Sequence, residues 1–213
     1  MKSVLVTGGT VRLGKAIADR LRADGWRVIT SSHRSDAGAD IVADLSEPMG
    51  AAKLYAAALA LLGGNPPDAL VNNAGLFTGD AAAIRAVNFE APKKLTMMMA
   101  GRETGVGCVV NVLDAASGDD RRQTGAADGY RESKRELAAF TQAGAMMFAA
   151  TLRVNGVAPG PVMAPAEVHE QAGEMLLAHR PTPEDVAAAV SFLLSAEATT
   201  GCVVPVDGGQ GMM

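Results

Sequence analysis

A tyrosine and a lysine four residues apart are the first residues of this chain that could do chemistry together. Tyr130 and Lys134 lie in a stretch with helical periodicity, so their side chains are expected on one helical face. An ammonium beside a phenol favours the phenolate, which suits tyrosine to proton transfer. The same spacing is common on solvated helix faces. Asp114 strengthens the chemical interpretation, because it follows a strand-like run and supplies a candidate acid before the helix.

The amino-terminal residues indicate a site for a phosphorylated cofactor. An apolar run at residues 4–6 stops at a Thr-Gly-Gly turn, and a helical pattern resumes from Leu13 and Gly14. A buried strand, a turn through Gly8 and a helix start together offer backbone N–H groups to a pyrophosphate. Arg12 stands where a looser glycine fingerprint would carry another glycine. A cation at that position suits the additional phosphate of NADP(H).

Polar residues also follow the second and third predicted strands. His33, Arg34 and Ser35 occupy the place where an acid would bind the ribose hydroxyl of NAD(H). Arg34 and Ser35 can instead bind a 2′-phosphate, although a solvated basic loop has the same composition. After the third strand, Asp44 can accept from an adenine amino group while Leu45 packs on the ring. Aspartate in such a position also caps turns.

The fourth predicted strand ends in a run of amides and small residues. Asn72, Asn73, Ala74 and Gly75 would let the backbone approach a flat cofactor closely and would cross-link neighbouring strands. An ordinary turn is the simpler explanation of the same residues. Phe77 follows directly, and an aromatic ring there could be a ligand contact or only a packing contact.

Strand-like runs alternate with alanine-rich helical stretches throughout the chain. The predicted strands are residues 4–6, 27–30, 41–42, 69–71, 108–112, 153–157 and 202–206. The predicted helices are residues 15–23, 51–62, 82–100, 130–150 and 183–194, the last with Thr182 as its N-cap. This alternation predicts an α/β Rossmann fold, a doubly wound seven-stranded parallel sheet with helices on both faces. We expect one domain over residues 1–213.

Composition narrows the class of protein. Net charge is −4 and 48% of the residues are hydrophobic, so we expect neither nucleic acid nor a membrane as partner. The first strand is expected almost at residue 1, which leaves no space for a secretory leader and favours a cytoplasmic protein. Cys108 and Cys202 lie in apolar runs, where buried thiols are expected. The histidines lack metal-site spacing, and no metal is expected.

Taken together, the motifs resemble those of the short-chain dehydrogenase/reductase family over the whole length. The matching segments are the Thr-Gly turn at residues 7–14, the Asn-Asn-Ala-Gly run at 72–75, the Tyr130/Lys134 pair, residues 155–160 and residues 206–209. Asn88 resembles the family's helix asparagine that supports a proton-relay water beside the lysine. The resemblance implies NADPH as cofactor, Lys134 on its ribose, and a homodimer or homotetramer. The cofactor contacts expected in full are Gly8, Arg12, Leu13, Gly14, His33, Arg34, Ser35, Asp44, Leu45, Asn73, Ala74, Gly75, Tyr130, Lys134, Pro159, Gly160 and Val162.

Departures from the common family pattern point to one branch. Asp114 stands where the usual catalytic serine is found, and Asp114 with Arg12 and the basic loop resembles the pteridine reductases. Phe77 falls where that branch places the aromatic ring that stacks on the pterin. Gly75 departs from the branch, in which a serine commonly follows Asn-Ala. An ionised aspartate only accepts hydrogen bonds and would repel the alkoxide that develops when a ketone is reduced. An Asp–Tyr pair can instead relay a proton to a ring nitrogen or pass one on from water.

We therefore predict an NADPH-dependent reductase of a dihydropterin. The predicted catalytic residues are Asn88, Asp114, Tyr130 and Lys134, and the predicted substrate contacts are Arg12, Phe77, Asp114 and Tyr130. Residues 161–180 are expected to cover the substrate as a flap. Only twelve residues separate Gly75 from Asn88, which predicts an open rim. A general carbonyl or imine reductase and a non-catalytic NADP(H)-binding protein are the alternatives.

Overall fold

Seven parallel strands form one sheet in the computed structural model, which describes residues 1–103, 105–115, 128–162 and 175–212. The strands are β1 (Ser3–Thr7), β2 (Arg27–Ser32), β3 (Ile41–Val42), β4 (Ala69–Asn72), β5 (Gly107–Val112), β6 (Leu152–Pro159) and β7 (Val203–Val206). Their order across the sheet is β3-β2-β1-β4-β5-β6-β7. The chain winds from β1 to one edge and then from β4 to the other, which confirms the doubly wound Rossmann fold.

The connecting helices form two layers on this sheet. The described helices are α1 (Arg12–Ala23), α2 (Gly50–Leu61), α3 (Ala81–Arg85), α4 (Ala91–Ala100), α5 (Asp128–Met147) and α6 (Pro183–Ser195). Along β1, Val4 and Val6 pack in the core that holds α1 and α6, whereas Leu5 packs in the core that holds α2 and α4. Both faces of the strand are therefore covered, as a continuous apolar run predicts.

The predicted helix over residues 82–100 is present as one continuous helical segment, but it is not α-helical throughout. The structure has α3, then a π-helical segment at Ala86–Glu90, then α4. A π-helical segment widens the turn locally and occurs frequently at functional sites. Asn88 lies in the middle of this segment and is almost fully buried. The widened turn therefore sets the position of a predicted site residue.

The carboxyl-terminal part of the fold agrees with the predicted helix start. Thr182 and Asp185 form a reciprocal capping box at the start of α6, so Thr182 is confirmed as the N-cap. The predicted flap at residues 161–180 lies mostly outside the described residues. Its two ends meet, because Nε of Arg180 donates to the carbonyl oxygen of Pro161. No helix in the described part of the chain is long and apolar enough to cross a membrane.

Candidate active site

The carboxyl ends of β1, β4, β5 and β6 meet along one edge of the sheet, and the predicted site residues follow them. Tyr130 and Lys134 lie in the first turns of α5, and Asp114 lies two residues after β5. The Tyr130 hydroxyl donates a hydrogen bond to Oδ2 of Asp114 at 2.9 Å. Nζ of Lys134 lies 5.8 Å from the centre of the Tyr130 ring. The structure thus brings the three predicted acid–base residues together.

Lys134 is held in an environment that is unusual for a lysine. Its side chain is 5% exposed, and Nζ donates to the carbonyl oxygen of Val112 at 2.8 Å. Burial lowers the pKa of Lys134 from 10.5 to about 8, and the nearby Asp114 carboxylate opposes that shift. The ammonium group of Lys134 therefore loses its proton more readily than that of an exposed lysine, and it does so beside the tyrosine ring.

Phe77 packs directly against Tyr130. Its ring centre lies 4.8 Å from that of Tyr130, and the two rings are tilted by 57°. Such tilted pairs are favourable contacts between aromatic rings. Phe77 is only half buried, so one part of its ring surface remains exposed beside the tyrosine. The structure therefore places the Phe77 ring beside Tyr130, and its stacking on a substrate stays a prediction.

Asn88 uses its amide to fix the loop after β4. Its Oδ1 accepts from the backbone N–H of Leu76 at 2.8 Å, and its Nδ2 donates to the Leu76 carbonyl oxygen at 2.9 Å. Nδ2 also donates to Oγ of Ser133 at 3.1 Å. Because both N–H bonds and the carbonyl oxygen have partners, the orientation of the amide is determined. Ser133 and this arrangement were not predicted from the sequence.

The glycine turn after β1 has the shape that a dinucleotide requires. Gly8 has φ +63°, and a Cβ on it would lie 3.1 Å from Cα of Ala74. A Cβ on Gly14 would collide with the carbonyl oxygen of Gly8. Side chains are therefore excluded at the amino end of α1, where the backbone N–H groups must stay accessible to a phosphate. The turn fits the pyrophosphate of a nicotinamide dinucleotide.

The loop after β4 is tied to this turn. Asn73 donates through Nδ2 to the carbonyl oxygens of Thr7 and Gly8 at 2.9 and 3.2 Å. The Thr7 hydroxyl accepts from the backbone N–H groups of Asn73 and Ala74, both at 3.0 Å. Asn73 and Ala74 therefore border the glycine turn, and their contact with the cofactor stays a prediction. The support that the Thr7 hydroxyl gives to this loop was not predicted from the sequence.

Arg12 has a glycine-like backbone although it is an arginine. Its φ is +51°, and among the described residues no other non-glycine residue has positive φ. Left-handed backbone costs an L-residue about 1–2 kcal/mol. Arg12 begins α1, directly before the predicted contacts Leu13 and Gly14, and its side chain is exposed. The turn keeps its shape and carries a cation on its outer surface.

Arg34 is exposed after β2 and pairs with an acid that the sequence interpretation overlooked. Nε and Nη2 of Arg34 bond both carboxylate oxygens of Asp36, at 2.9 and 2.7 Å. The hydrogen bond from Arg34 lowers the pKa of Asp36, and the same contact raises the pKa of Arg34. His33 and Ser35 are also exposed. An incoming phosphate would compete with Asp36 for the Arg34 guanidinium.

The residues predicted to meet the adenine differ in their surroundings. Asp44 is exposed and caps its own turn, since Oδ1 accepts from the backbone N–H and hydroxyl of Ser46 at 2.8 and 2.6 Å. The hydroxyl bond lowers the pKa of Asp44. Leu45 is buried in the core that contains α2. The contacts of Asp44 are those of a turn cap, and the contacts of Leu45 are those of a core residue. A contact of either residue with adenine stays a prediction.

The end of β6 supplies a second tight approach. Pro159 ends the strand, and Gly160 and Val162 follow half buried. A Cβ on Gly160 would lie 2.7 Å from Cα of Asp207, so only glycine fits against the segment after β7. Asp207 is itself held, because its carboxylate accepts from the N–H groups of Gly209 and Gly211 at 2.9 and 2.7 Å.

Buried side-chain bonds hold α5 to the sheet beneath the site. Asn72 donates to Oδ1 of Asn111 at 2.8 Å, and Asn111 donates to Oγ1 of Thr141 at 2.9 Å. The cross-link between strands that Asn72 predicted is thus present, and it extends to the helix that carries Tyr130. A cavity of about 450 Å³ opens beside Asp114, between α5, β7 and the carboxyl terminus, with mostly apolar walls.

Sequence comparison identifies the family. A family model described as enoyl-(acyl carrier protein) reductase matches residues 11–210. The 3-oxoacyl-(acyl-carrier-protein) reductase MabA of Mycobacterium bovis is 31% identical over 240 residues, covering 99% of this chain and 93% of its own. Glucose 1-dehydrogenase 2 of Bacillus subtilis is 29% identical, covering 98% of this chain and 94% of its own. The chain belongs to the short-chain dehydrogenase/reductase family.

Solved structures extend this comparison. FolM alternative dihydrofolate reductase 1 from Brucella canis, complexed with NADP, superposes with a TM-score of 0.86 at 28% identity, covering 100% of this chain and 95% of that chain. A blue fluorescent protein from a metagenomic library, in complex with NADPH, gives the same TM-score and identity, covering 98% of this chain and 97% of that chain. Both neighbours carry the phosphorylated nicotinamide cofactor.

Proposed function

We propose that this protein is an NADPH-dependent reductase that converts a dihydropterin to its tetrahydro form. The observation that carries the proposal is the hydrogen bond from the Tyr130 hydroxyl to Asp114, with the ring of Phe77 against the same tyrosine. An acid–base pair beside an aromatic surface suits a flat heterocycle that must gain a proton on nitrogen.

The glycine turn after β1 and two nearby arginines support NADPH as the cofactor. The bare backbone at Gly8 and Gly14 fits a pyrophosphate, and Arg12 with Arg34 can contact a 2′-phosphate. Arg12 keeps its cation at the cost of a left-handed backbone, which favours a functional role for the side chain. The structural neighbours complexed with NADP and NADPH support the same choice.

The proposed chemistry divides a two-electron reduction between cofactor and protein. A bound NADPH would supply the hydride for the carbon of the C=N bond. Tyr130 supplies a proton toward the ring nitrogen, and Asp114 accepts hydrogen bonds from the heterocycle or passes a proton from water. Lys134 places a positive charge beside the tyrosine and favours release of its proton. Phe77 stacks on the heterocycle, and the cavity beside Asp114 gives space for its substituent.

A general carbonyl reductase is the second candidate. The name of the mycobacterial relative, a 3-oxoacyl-(acyl-carrier-protein) reductase, favours it. Asp114 opposes it, because an ionised carboxylate beside Tyr130 would repel the alkoxide that develops during ketone reduction. The arrangement of Tyr130, Asp114 and Lys134 opposes a non-catalytic NADP(H)-binding protein, because binding the cofactor alone does not require an acid–base pair.

The test is NADPH oxidation by the purified protein with two sets of substrates. Dihydrobiopterin, dihydromonapterin and dihydrofolate form the first set, and ketones that include a 3-oxoacyl thioester form the second. The proposal expects turnover with at least one dihydropterin at a kcat/KM well above that of every ketone. Turnover of ketones alone would establish the second candidate, and NADPH binding without any turnover would establish the non-catalytic alternative.

A further inference from the structure

Ser133 lies on α5 beside the proposed acid–base residues but faces away from solvent, with 1% of its surface exposed. Its hydroxyl donates to the backbone carbonyl oxygen of Tyr130 at 2.7 Å. A serine hydroxyl has one proton, so that bond leaves its lone pairs for the N–H group of Asn88, at 3.1 Å. Ser133 therefore joins the backbone of the acid–base tyrosine to the π-helical segment.

Asn88 continues the connection into the loop after β4. Its amide bonds both the N–H and the carbonyl oxygen of Leu76, at 2.8 and 2.9 Å, much as a neighbouring strand would. Leu76 precedes Phe77 in the chain, and the Phe77 ring packs on Tyr130 with centres 4.8 Å apart. The contacts form a closed circuit from Tyr130 through Ser133, Asn88 and Leu76 to Phe77 and back.

We propose that Ser133 is a positioning residue that sets the relative placement of the Tyr130 hydroxyl and the Phe77 ring. The loop that carries Phe77 and the helix α5 that carries Tyr130 are separate elements. The buried hydroxyl of Ser133 connects them, because it bonds the backbone of Tyr130 and the Asn88 amide that holds the loop. The consequence for catalysis rests on the proposed function, since it assumes that a substrate ring binds between these two groups. The placement itself does not rest on any substrate.

Thr141 provides a matched control on the same helix. It is also fully buried, its hydroxyl donates to the Leu137 carbonyl oxygen at 2.8 Å, and it accepts from Asn111 at 2.9 Å. Thr141→Val removes a buried hydroxyl of the same type with little change of volume. It therefore reproduces the loss of a buried hydrogen bond without touching the circuit through Phe77.

The direct experiment is ¹⁹F NMR of protein labelled with 3-fluorotyrosine, without cofactor or substrate. The chain has 2 tyrosines, so the Tyr130 resonance is assigned by comparison with Tyr55→Phe. Phe77→Leu defines the resonance that Tyr130 shows without the neighbouring ring. Ser133→Ala should move or broaden the Tyr130 resonance toward that position, whereas Ser133→Thr and Thr141→Val should leave it within its linewidth of the parent.

The kinetic experiment measures the same coupling in turnover. Ser133→Ala should raise the KM for a dihydropterin about three- to tenfold, equivalent to one net hydrogen bond, and change the KM for NADPH less than about twofold. In a Phe77→Ala background the same substitution should have less than about a twofold effect, because the ring that it positions is gone. Ser133→Thr should restore the parent values.

The outcomes separate this inference from the proposed function. A Tyr130 resonance that is unchanged in Ser133→Ala, or displaced equally in Thr141→Val, overturns the positioning role whatever the protein reduces. A parent protein that reduces no dihydropterin overturns the proposed function, and the NMR result still decides the role of Ser133. Equal kinetic losses from Ser133→Ala with and without Phe77 would also overturn the coupling.

Discussion

Tyr130 and Asp114 share one hydrogen bond, with the hydroxyl oxygen 2.9 Å from Oδ2 of the carboxylate. The donor in this pair is the phenol, so the resting arrangement holds the tyrosine proton on the line between the two side chains. A serine at the position of Asp114 could donate as well as accept. The aspartate fixes the direction of the bond, and this direction is the chemical difference between the site and the common family pattern.

Substitutions of this pair test the proposed reaction. Tyr130→Phe and Asp114→Ala should each lower kcat for dihydropterin reduction about a hundredfold or more, the usual effect of removing general acid–base help. The affinity for NADPH, measured by fluorescence titration, should stay close to that of the parent. Asp114→Ser should shift the residual activity from dihydropterins to ketones. If Asp114→Ser reduces dihydropterins as well as the parent, the aspartate has no special role.

The contact between Arg34 and Asp36 gives a prediction in two directions. Arg34→Ala should raise the KM for NADPH at least about tenfold, because a charge-assisted contact with the 2′-phosphate is lost, and leave the KM for NADH unchanged. Asp36→Asn should lower the KM for NADPH, because the Arg34 guanidinium then binds the 2′-phosphate without first breaking its ion pair with Asp36. Initial rates with both cofactors measure these effects. Equal changes for NADPH and NADH would contradict the assignment of Arg34.

Two substitutions of Arg12 distinguish the effect of its strained backbone on stability from the effect of its charge on cofactor binding. Arg12→Gly should increase the free energy of unfolding by about 1 kcal/mol, since glycine accepts the left-handed backbone without cost. Arg12→Ala keeps the strain and serves as the control. Both variants lose the cation and should bind NADPH more weakly than the parent. Denaturant unfolding and cofactor titration of the two variants check this. Equal stability of the alanine and glycine variants would exclude the strain.

The buried Lys134 predicts opposite effects of alkaline pH on activity and stability. Its pKa is lowered to about 8, so raising the pH through 8 removes the positive charge beside Tyr130 and should lower kcat. The unfolded chain keeps that proton until its ordinary pKa of 10.5, so between pH 8 and 10.5 it binds more protons than the folded chain. Stability contributed by this group therefore rises with pH, by at most about 1.4 kcal/mol per pH unit.

Lys134→Met is the reference for that measurement. The free energy of unfolding of the parent minus that of Lys134→Met should increase from pH 8 to pH 10, while the activity of the parent falls over the same interval. Denaturant unfolding at several pH values gives the first quantity and initial rates give the second. A difference that is flat with pH would show that Lys134 titrates normally in the folded protein.

The last prediction concerns assembly. Met97 on α4 and Met146 with Met147 on α5 are exposed, at 52%, 79% and 68%. Apolar side chains exposed on two adjacent helices suit a twofold contact with a second copy, as the family resemblance implied. Light scattering should show a dimer or tetramer, and Met146→Lys should shift it toward monomer. A fully active monomer at micromolar concentration would refute the assembly.

Other residues of α4 and α5 belong to the chain's own core. Met99 and Ala145 are buried against the sheet, and only the residues on the opposite helical face remain exposed. The sequence shows which residues are small or flexible but not which way a helix is rotated about its axis. That rotation is set by packing between elements far apart in the chain.

The sheet itself was predictable because each strand carries its own signal. Every predicted strand is present, and β5 and β6 are only extended by one or two residues at their ends. Fully covered parallel strands read as continuous apolar runs, so local composition is enough to find them. The clustering of Asp114 with Tyr130 and Lys134 was predictable for a related reason, since a parallel sheet gathers the ends of its strands at one edge.

The supporting contacts were not predictable in this way. The π-helical turn around Asn88 leaves no mark on helical periodicity, and the contact of Asn88 with Leu76, twelve residues earlier, exists only in the folded chain. Ser133 looks like any helical serine until Asn88 is placed against it. Asp36 was passed over because it lies beyond the position at which an acid would bind ribose, yet its side chain turns back to Arg34. Each case depends on geometry that only the folded chain supplies.

The short loop after β4 has a consequence for how this scaffold can diversify. The Asn88 amide holds the loop through hydrogen bonds to Leu76. Further along, Gly79 has open space around it, and the loop ends where Asp80 caps α3. Alignment with the mycobacterial relative spans 240 residues, more than the 213 of this chain, so the relative carries additional internal segments. Exposed loop tips accept insertions most readily. Insertions near Gly79 would therefore change the rim beside Phe77 without touching the contacts that join Tyr130, Asp114 and Lys134.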